Sequence, residues 1–371
     1  MSQIEFKIET VTPMFTSGAD QKPFELRPPS VKGLMRFWWR AYYWGKNSND
    51  MSSEDLLHQM KDREGKIFGT ASGKKPQKSS FSVRITPSEM QGTLEPFPKR
   101  PVKASSGGRT FNINILEYLA YGTYAYQKGK GNVFHRKYLP AGSEFSVLLN
   151  ITDKTVEEEI ITSFYLLSSF GGIGAKSRNG FGNFTIKKIN IETDEQQVSL
   201  IKLNYLLPFP DGKFFNQIRN KNIPPYTAFS KHPENPMKIF KLKNAYKSWD
   251  ECLAKLGEIY RTGKLKLDQP HTCEKRQYIA SPIVIQKDVG GRMKTDDQSF
   301  LERHSKPYFL KIVKMKDHYD GYILWLPSKY AAGLKSDRYN RPIPSDADEK
   351  FHQYCAELNT HLAGNMEVFY A

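Results

Sequence analysis

The chain has 371 residues and is strongly basic: 55 Lys and Arg against 39 Asp and Glu give a formal charge of +16. That length accommodates two domains, each with its own core, and the charge favours a polyanionic partner, most simply nucleic acid. Cys252, Cys273 and Cys355 are too few and too scattered for a disulfide framework or a zinc knuckle. No apolar run approaches the roughly 20 residues that span a bilayer, so the expectation is a cytoplasmic protein with no membrane partner.

In chain order, IEFKIETV (Ile4–Val11) alternates polar and apolar residues and predicts a strand. A turn-rich loop leads through Pro28 and Pro29 to Ser30, an expected N-cap for a helix over Val31–Trp44. A second helix is expected over Ser53–Arg63, ending before an IFG turn at Ile67–Gly69. FSVRIT (Phe81–Thr86) reads as a strand, and KRPVKASSGGRT (Lys99–Thr110) as a mobile basic loop. EFSVLLNI (Glu144–Ile151) predicts a strand. KTVEEEIITSFYLLSSF (Lys154–Phe170) predicts a helix with acidic residues in its first turns. FTIKKINIE (Phe184–Glu192) is a further strand.

The order strand, helix, strand, insertion, strand, helix, strand is close to an expanded β-α-β-β-α-β pattern. The polar stretch ETDEQQVS (Glu192–Ser199) places a boundary, dividing the chain into domains 1–195 and 196–371. Beyond it, strands are expected near Leu200–Leu206, Ser281–Gln286, Pro307–Val313 and Tyr322–Leu326. Helices are expected over Asn244–Thr262 and Asp346–Ala363, with a last strand at Met366–Tyr370.

Between the Lys154–Phe170 helix and the last strand of the first domain lies GGIGAKSRNGFG (Gly171–Gly182). A Walker loop needs glycine where Ala175 stands, on a strand-to-helix turn, whereas here a helix precedes and a strand follows. A dinucleotide fingerprint needs glycine at Ser177. Two readings remain open. In one, peptide N–H groups approach a phosphate backbone, with Lys176 and Arg178 beside the polyanion. In the other, the glycines serve only a tight helix-to-strand connection.

The helix VKGLMRFWWRAYYW places Val31, Leu34, Met35, Trp38, Ala41 and Tyr42 on one broad face. Lys32, Arg36 and Arg40 fall on the other, with Trp39 and Tyr43 among them. Such a cation ladder with two rings is expected to present an exposed surface to a phosphate backbone and its bases. The alternative is a solvated face whose rings cover an insertion.

ELRPPSVKGLMRFWWRA (Glu25–Ala41), the IFG turn and GGIGAKSRNGFG together resemble the RAMP superfamily of CRISPR proteins. More narrowly they are similar to the first subunit of the Cmr (type III-B) effector complexes, a match covering the N-terminal half. The resemblance implies an α+β chain of two tandem ferredoxin-like (RRM-like) domains with loop and helical insertions. It also implies a non-catalytic subunit that helps hold the 3′ part of the guide RNA and engages single-stranded target RNA, beside other Cmr subunits. By matching position it makes Arg27, Lys32, Arg36, Arg40, Gly171, Gly172, Gly174, Lys176 and Arg178 the RNA-binding candidates. Lys176 and Asn179 stand where arginine is common in the family.

Catalytic chemistry is not legible. The eight histidines are dispersed; His135, beside Arg136, Lys137 and Tyr138, reads as an RNA contact or surface residue. His271 and Cys273 lack a second pair at zinc spacing, Asp296 and Asp297 sit in a polar loop, and Asp20 lies in an SGADQ loop after the first strand. No catalytic set, metal or cofactor is expected. The competing readings are a metal-independent guide-RNA-processing endoribonuclease of the same superfamily and a mainly structural protein–protein subunit. Arg109, Lys128, Lys130 and the Gly290–Asp297 stretch are further loop candidates for RNA contact.

Overall fold

The computed structural model describes residues 2–18, 24–47, 51–71, 76–87, 89–106, 109–192, 209–210, 212–269, 272–281, 284–289, 292–297, 301, 304–337 and 340–370. The first half runs β1 (Ser2–Thr10), α1 (Pro28–Lys46), α2 (Ser53–Phe68), β2 (Phe81–Thr86), β3 (Pro101–Ser106), β4 (Arg109–Asn114) and α3 (Ile115–Leu119). It continues with β5 (Tyr124–Gln127), β6 (Gly131–Phe134), β7 (Glu144–Ile151), α4 (Glu157–Phe170) and β8 (Phe184–Glu192). The second half contains α5 (Gly212–Asn216), β9 (Lys238–Lys241), α6 (Trp249–Lys266), α7 (Arg276–Ile279), β10 (Val284–Val289) and β11 (Arg292–Asp297). β12 (Tyr308–Lys314), β13 (Tyr319–Trp325), α8 (Ala347–Asn365) and β14 (Glu367–Tyr370) complete it.

Two four-stranded sheets organise the halves, ordered β2-β7-β1-β8 and β12-β13-β9-β14, with every neighbouring pair antiparallel. The two orders are the same: numbered within each half, the strands lie 2-3-1-4. Helices follow the first and third strand of each set. Three two-stranded hairpins, β3–β4, β5–β6 and β10–β11, stand outside these sheets.

The local reasons are visible in the sequence. β7 buries every second residue, Phe145, Val147, Leu149 and Ile151, as a strand with one face on a core must. α4 sets Glu157, Glu158 and Glu159 at its positive end. Its remainder is buried almost all round, because α1 and β12 pack against it as well as the sheet.

Several boundaries differ from the sequence reading. α1 begins at Pro28, not after Ser30, because proline fits the first helical position, where its missing N–H costs no helical bond. α2 runs on through Ile67 and Phe68 and ends at Gly69, whose φ of +81° stops it. The stretch expected as a mobile loop at 99–110 forms most of the β3–β4 hairpin. The strand expected near Ser281–Gln286 is β10, paired with β11 outside the main sheet, and Asp296 and Asp297 end β11 where a loop was expected. The strand expected near 200–206 and the boundary at 195/196 lie outside the described residues.

The core crosses between halves. Trp38 of α1, 1% exposed, meets Phe170 of α4 along with Phe229 and Phe309 from the second half. Phe15, Phe97 and Phe181 cluster with Leu253 and Leu256 of α6. Burying a large ring contributes roughly 2–3 kcal/mol, so the seam is a substantial part of the fold.

Candidate nucleic-acid interface

α1 was expected to offer an open ladder of cations. Its start leaves little backbone for an anion, because Pro28 and Pro29 carry no N–H. The N–H groups of Ser30 and Val31 both donate to the Arg27 carbonyl, at 3.0 and 3.3 Å. Arg27 itself is partly exposed and lies 3.8 Å from Glu25.

The other three cations are occupied by the protein. Lys32 Nζ donates to the Phe81 carbonyl at 3.2 Å and sits 4.6 Å over that ring. Burial and the neighbouring Arg36 push its amine down to about 8. Arg36 donates to the Phe68 and Gly69 carbonyls, both at 3.1 Å, closing the C-terminus of α2. Arg40 grips Glu64 with Nε at 2.5 Å and Nη2 at 2.6 Å, the forked geometry of an arginine–carboxylate pair.

The rings differ from expectation as well. Trp39 is 2% exposed, so it has no free face for a base. Its Nε1–H donates to Glu159 at 2.9 Å, and that carboxylate also pairs with Arg63. Tyr43 is half-buried and packs against Trp39 at 4.9 Å between centroids. Burial, then the Glu159 charge, raises its hydroxyl pKa. This face of α1 is a bracket that holds α2 and α4.

The glycine stretch divides in the same way. Gly171 and Gly172 are buried, and a methyl on them would lie 2.4 Å from Trp38 Nε1 and 2.7 Å from the Phe181 carbonyl. Gly182, at φ +67°, has no such room either: a methyl would sit 1.9 Å from the Ile173 carbonyl. Here close packing explains the glycines. Arg178 turns inward, donating to the Lys306 carbonyl and lying over Phe309 at 4.6 Å and Phe37 at 5.5 Å. Burial lowers its pKa to about 10.

Asn183 and Lys311 complete this seam. Asn183 Nδ2 donates to the Gly171 carbonyl at 3.0 Å, while its Oδ1 accepts from Ile312 N–H at 2.8 Å. Lys311 Nζ donates to the carbonyls of Ser168 and Gly171 at the end of α4.

Gly174 and Lys176 behave differently. Gly174 is partly exposed at φ +96°, backed by the Phe15 carbonyl, and lies in the wall of a groove. Thr16, Ser17, Ser30, Arg136 and Lys137 share that wall. Thr16 Oγ1 is buried there without a partner among the described residues. Lys176 adopts φ +62° and is half-buried; burial, then Arg136, lowers its pKa. Its Nζ lies beside Gly122, 3.8 Å from where a methyl would be. Next in the chain is Tyr121, 64% exposed, and Tyr126 on the adjoining hairpin is 75% exposed.

The structure therefore brings together Lys176, Gly174, Arg136 and Lys137; Ser30, three residues after Arg27, lines the same groove, and Tyr121 precedes the Gly122 that lies beside Lys176. The sequence reading named Lys176, Gly174 and Arg27 and noted the HRKY stretch. It missed Tyr121, whose signal was a tyrosine directly before a glycine in a chain segment of no clear periodicity. Lys128 and Lys130 are exposed at the β5–β6 turn.

His135 is exposed, whereas His304 is largely buried, with burial and then Arg178 lowering its pKa to about 4. Cys252, Cys273 and Cys355 are buried and form no disulfide with one another. Among the described residues no three of His, Cys, Asp and Glu are grouped to hold a metal ion, and no helix is long and apolar enough to cross a membrane. Asp20, His271 and Gly290 lie outside the described residues, as do the side chains of Arg109, Asp296 and Asp297.

Residues 7–185 match the family model of the RAMP superfamily. Two curated relatives come from Pyrococcus furiosus. The CRISPR system Cmr subunit Cmr1-1 is 28% identical over 243 residues, covering 60% of this chain and 63% of that relative's length. Cmr1-2 is 29% identical over 199 residues, covering 51% of this chain and 97% of its own. The crystal structure of apo Cmr1 from the same organism superposes with a TM-score of 0.52 at 19% identity, covering 99% of this chain and 98% of that one. A chain in the cryo-EM structure of the type III-B Cmr-beta complex bound to cognate target RNA gives 0.51 at 12% identity, covering 97% of this chain and 99% of that one. At such identities the structural likeness shows a shared fold. The family model, over just under half of the chain, and the Cmr1 relatives make this chain similar to the RAMP superfamily.

Proposed function

We propose that this chain is a non-catalytic RNA-binding subunit of a type III-B (Cmr) CRISPR ribonucleoprotein, acting in antiviral defence. In this reading it helps hold the 3′ part of the guide RNA and engages single-stranded target RNA, alongside other Cmr subunits in the cytoplasm. The matching order of the two sheets supports reading each half as a ferredoxin-like domain, with the boundary near residue 195.

One observation supports the RNA reading most: Arg136 and Lys137 line a groove with the backbone of Gly174, opposed there by the single acid Glu25, and Lys176 is near enough to Arg136 to feel its charge. Cations with an exposed ring nearby suit a phosphate chain and its unpaired bases. Within the proposal, Arg27, Gly174 and Lys176 face RNA. Lys32, Arg36, Trp39, Arg40, Tyr43, Gly171, Gly172 and Arg178 hold that face in position.

The test is fluorescence anisotropy with single-stranded RNA over a salt series. Lys137→Ala/Lys176→Ala should weaken binding and shallow the slope of log K against log salt by about 0.7 for each phosphate no longer neutralised. Arg36→Ala/Arg40→Ala should leave the slope unchanged. Wild-type binding that ignores salt would point to a structural protein–protein subunit, and specific cleavage of the RNA would point to the endoribonuclease.

A further inference from the structure

Positive charge gathers where the two halves meet, beside the glycine stretch that carries Lys176 and Arg178. Lys306 Nζ is buried without a hydrogen-bond partner among the described residues, 4.4 Å over the Tyr260 ring. Lys264, one turn further along α6, places its Nζ 5.9 Å from the same ring. The charges acting on Lys306 are Lys264, Arg178 and Lys176, all positive, and with burial they hold its pKa well below the usual lysine value. His304 Nε2 and Tyr260 Oη are also buried without partners among the described residues.

A buried ammonium is costly unless it is paired, and a cluster of unpaired buried polar atoms calls for a missing partner. The groups here are mostly donors, carried by α6, the glycine stretch and the segment before β12. Lys176 and Lys264 are partly exposed and give the cluster an approach from solvent. We propose that Lys306, Lys264 and Lys176 bind a phosphate group at the seam between the halves. A phosphate is compact, carries only acceptors and brings the charge that three ammonium groups leave unmet. The choice of phosphate among anions rests on the RNA reading above, whereas the presence of an anion site does not. Free phosphate and the terminal phosphate of an RNA share this chemistry.

The full chain is melted in inorganic phosphate and in sodium chloride of equal ionic strength, as wild type and as Lys306→Met. Phosphate should raise the wild-type Tm saturably, by about 3 °C at a roughly hundredfold excess over its Kd, and should leave Lys306→Met unmoved. RNA oligonucleotides with and without a 3′-phosphate are compared by anisotropy in parallel. A preference for the phosphorylated end that Lys306→Met abolishes, without a response to free phosphate, assigns the site to an RNA terminus. RNA that fails to bind wild type while the phosphate shift persists removes the RNA reading and keeps the site. Should Lys306→Met not fold, Lys264→Met serves in its place, and equilibrium dialysis of wild type with labelled phosphate decides directly. Wild type that retains no phosphate and shows no end preference overturns the proposal.

Discussion

Asn183, just before β8, accepts the Ile312 N–H of β12 on its Oδ1 at 2.8 Å, bonding the first half of the chain to the second. The same amide donates to the Gly171 carbonyl at 3.0 Å. Asn183→Leu would orphan the buried Ile312 N–H, costing about 1–3 kcal/mol, while the Gly171 carbonyl keeps its bond from Lys311. The variant should lose about 2 kcal/mol in urea denaturation. A midpoint equal to wild type would mean that this amide does not tie the halves together.

Glycine substitutions should separate packing from conformation. Gly182→Ala brings a methyl within 1.9 Å of the Ile173 carbonyl, whereas Gly129→Ala, also at positive φ (+81°), meets nothing within 4 Å. The second should cost only the left-handed penalty, about 1–2 kcal/mol. The first should yield little soluble protein, or melt far lower. Equal losses in the two variants would remove the packing explanation.

The clamp of Arg36 and Arg40 on Glu64 is expected to steady α2. Arg40 is 42% exposed against 12% for Glu64, so solvent screens the pair and its contribution is modest. A double-mutant cycle of Arg40→Ala with Glu64→Ala should show a coupling of about 1 kcal/mol. Glu64→Ala alone should free Arg40 but leave Arg36 on the Phe68 and Gly69 carbonyls. No coupling in the cycle would mean that the pair does not steady α2.

Lys311 predicts a pH dependence. It is buried, and that burial pushes its amine to about 7 in the folded state, against about 10.4 in an unfolded chain. Between those values the unfolded chain holds a proton that the folded chain lacks, so stability rises with pH. The slope from this group approaches about 1.4 kcal/mol per unit, and the penalty is fully present below pH 7. A neutral amine keeps two N–H bonds, enough for the Ser168 and Gly171 carbonyls. Urea midpoints should climb from pH 7 to 9 in wild type more steeply than in Lys311→Met, which keeps the contribution of the other buried lysines. Parallel slopes would show that Lys311 stays charged.

Strands of the first sheet such as FSVRIT and EFSVLLNI were readable because they alternate over six or more residues. β9, KIFK, was missed because four residues carry no period. The β3–β4 hairpin was missed because PVKASS offers neither alternation nor large apolar residues. The face of α1 misled for a different reason. Nothing in RFWWRAYYW shows that Arg40 will meet Glu64, or that Trp39 will meet Glu159, 120 positions away. Charge on one helix is legible locally, whereas its partner is a property of the tertiary fold. Within the glycine stretch Lys176 stays partly exposed, whereas Arg178, two residues on, is covered by the second half, a contact no local pattern announces.

The rings of Phe15, Phe97 and Phe181 lie in one cluster with Leu253 and Leu256 of α6, so neither half finishes its interior alone. Cutting the chain between the sheets would expose a raw apolar surface on both fragments, and each should aggregate or cling to the other. Heating should then give a single calorimetric transition, with both sheets lost together. Force or torque applied to one half should also pass to the other through packed rings, so that the two turn together.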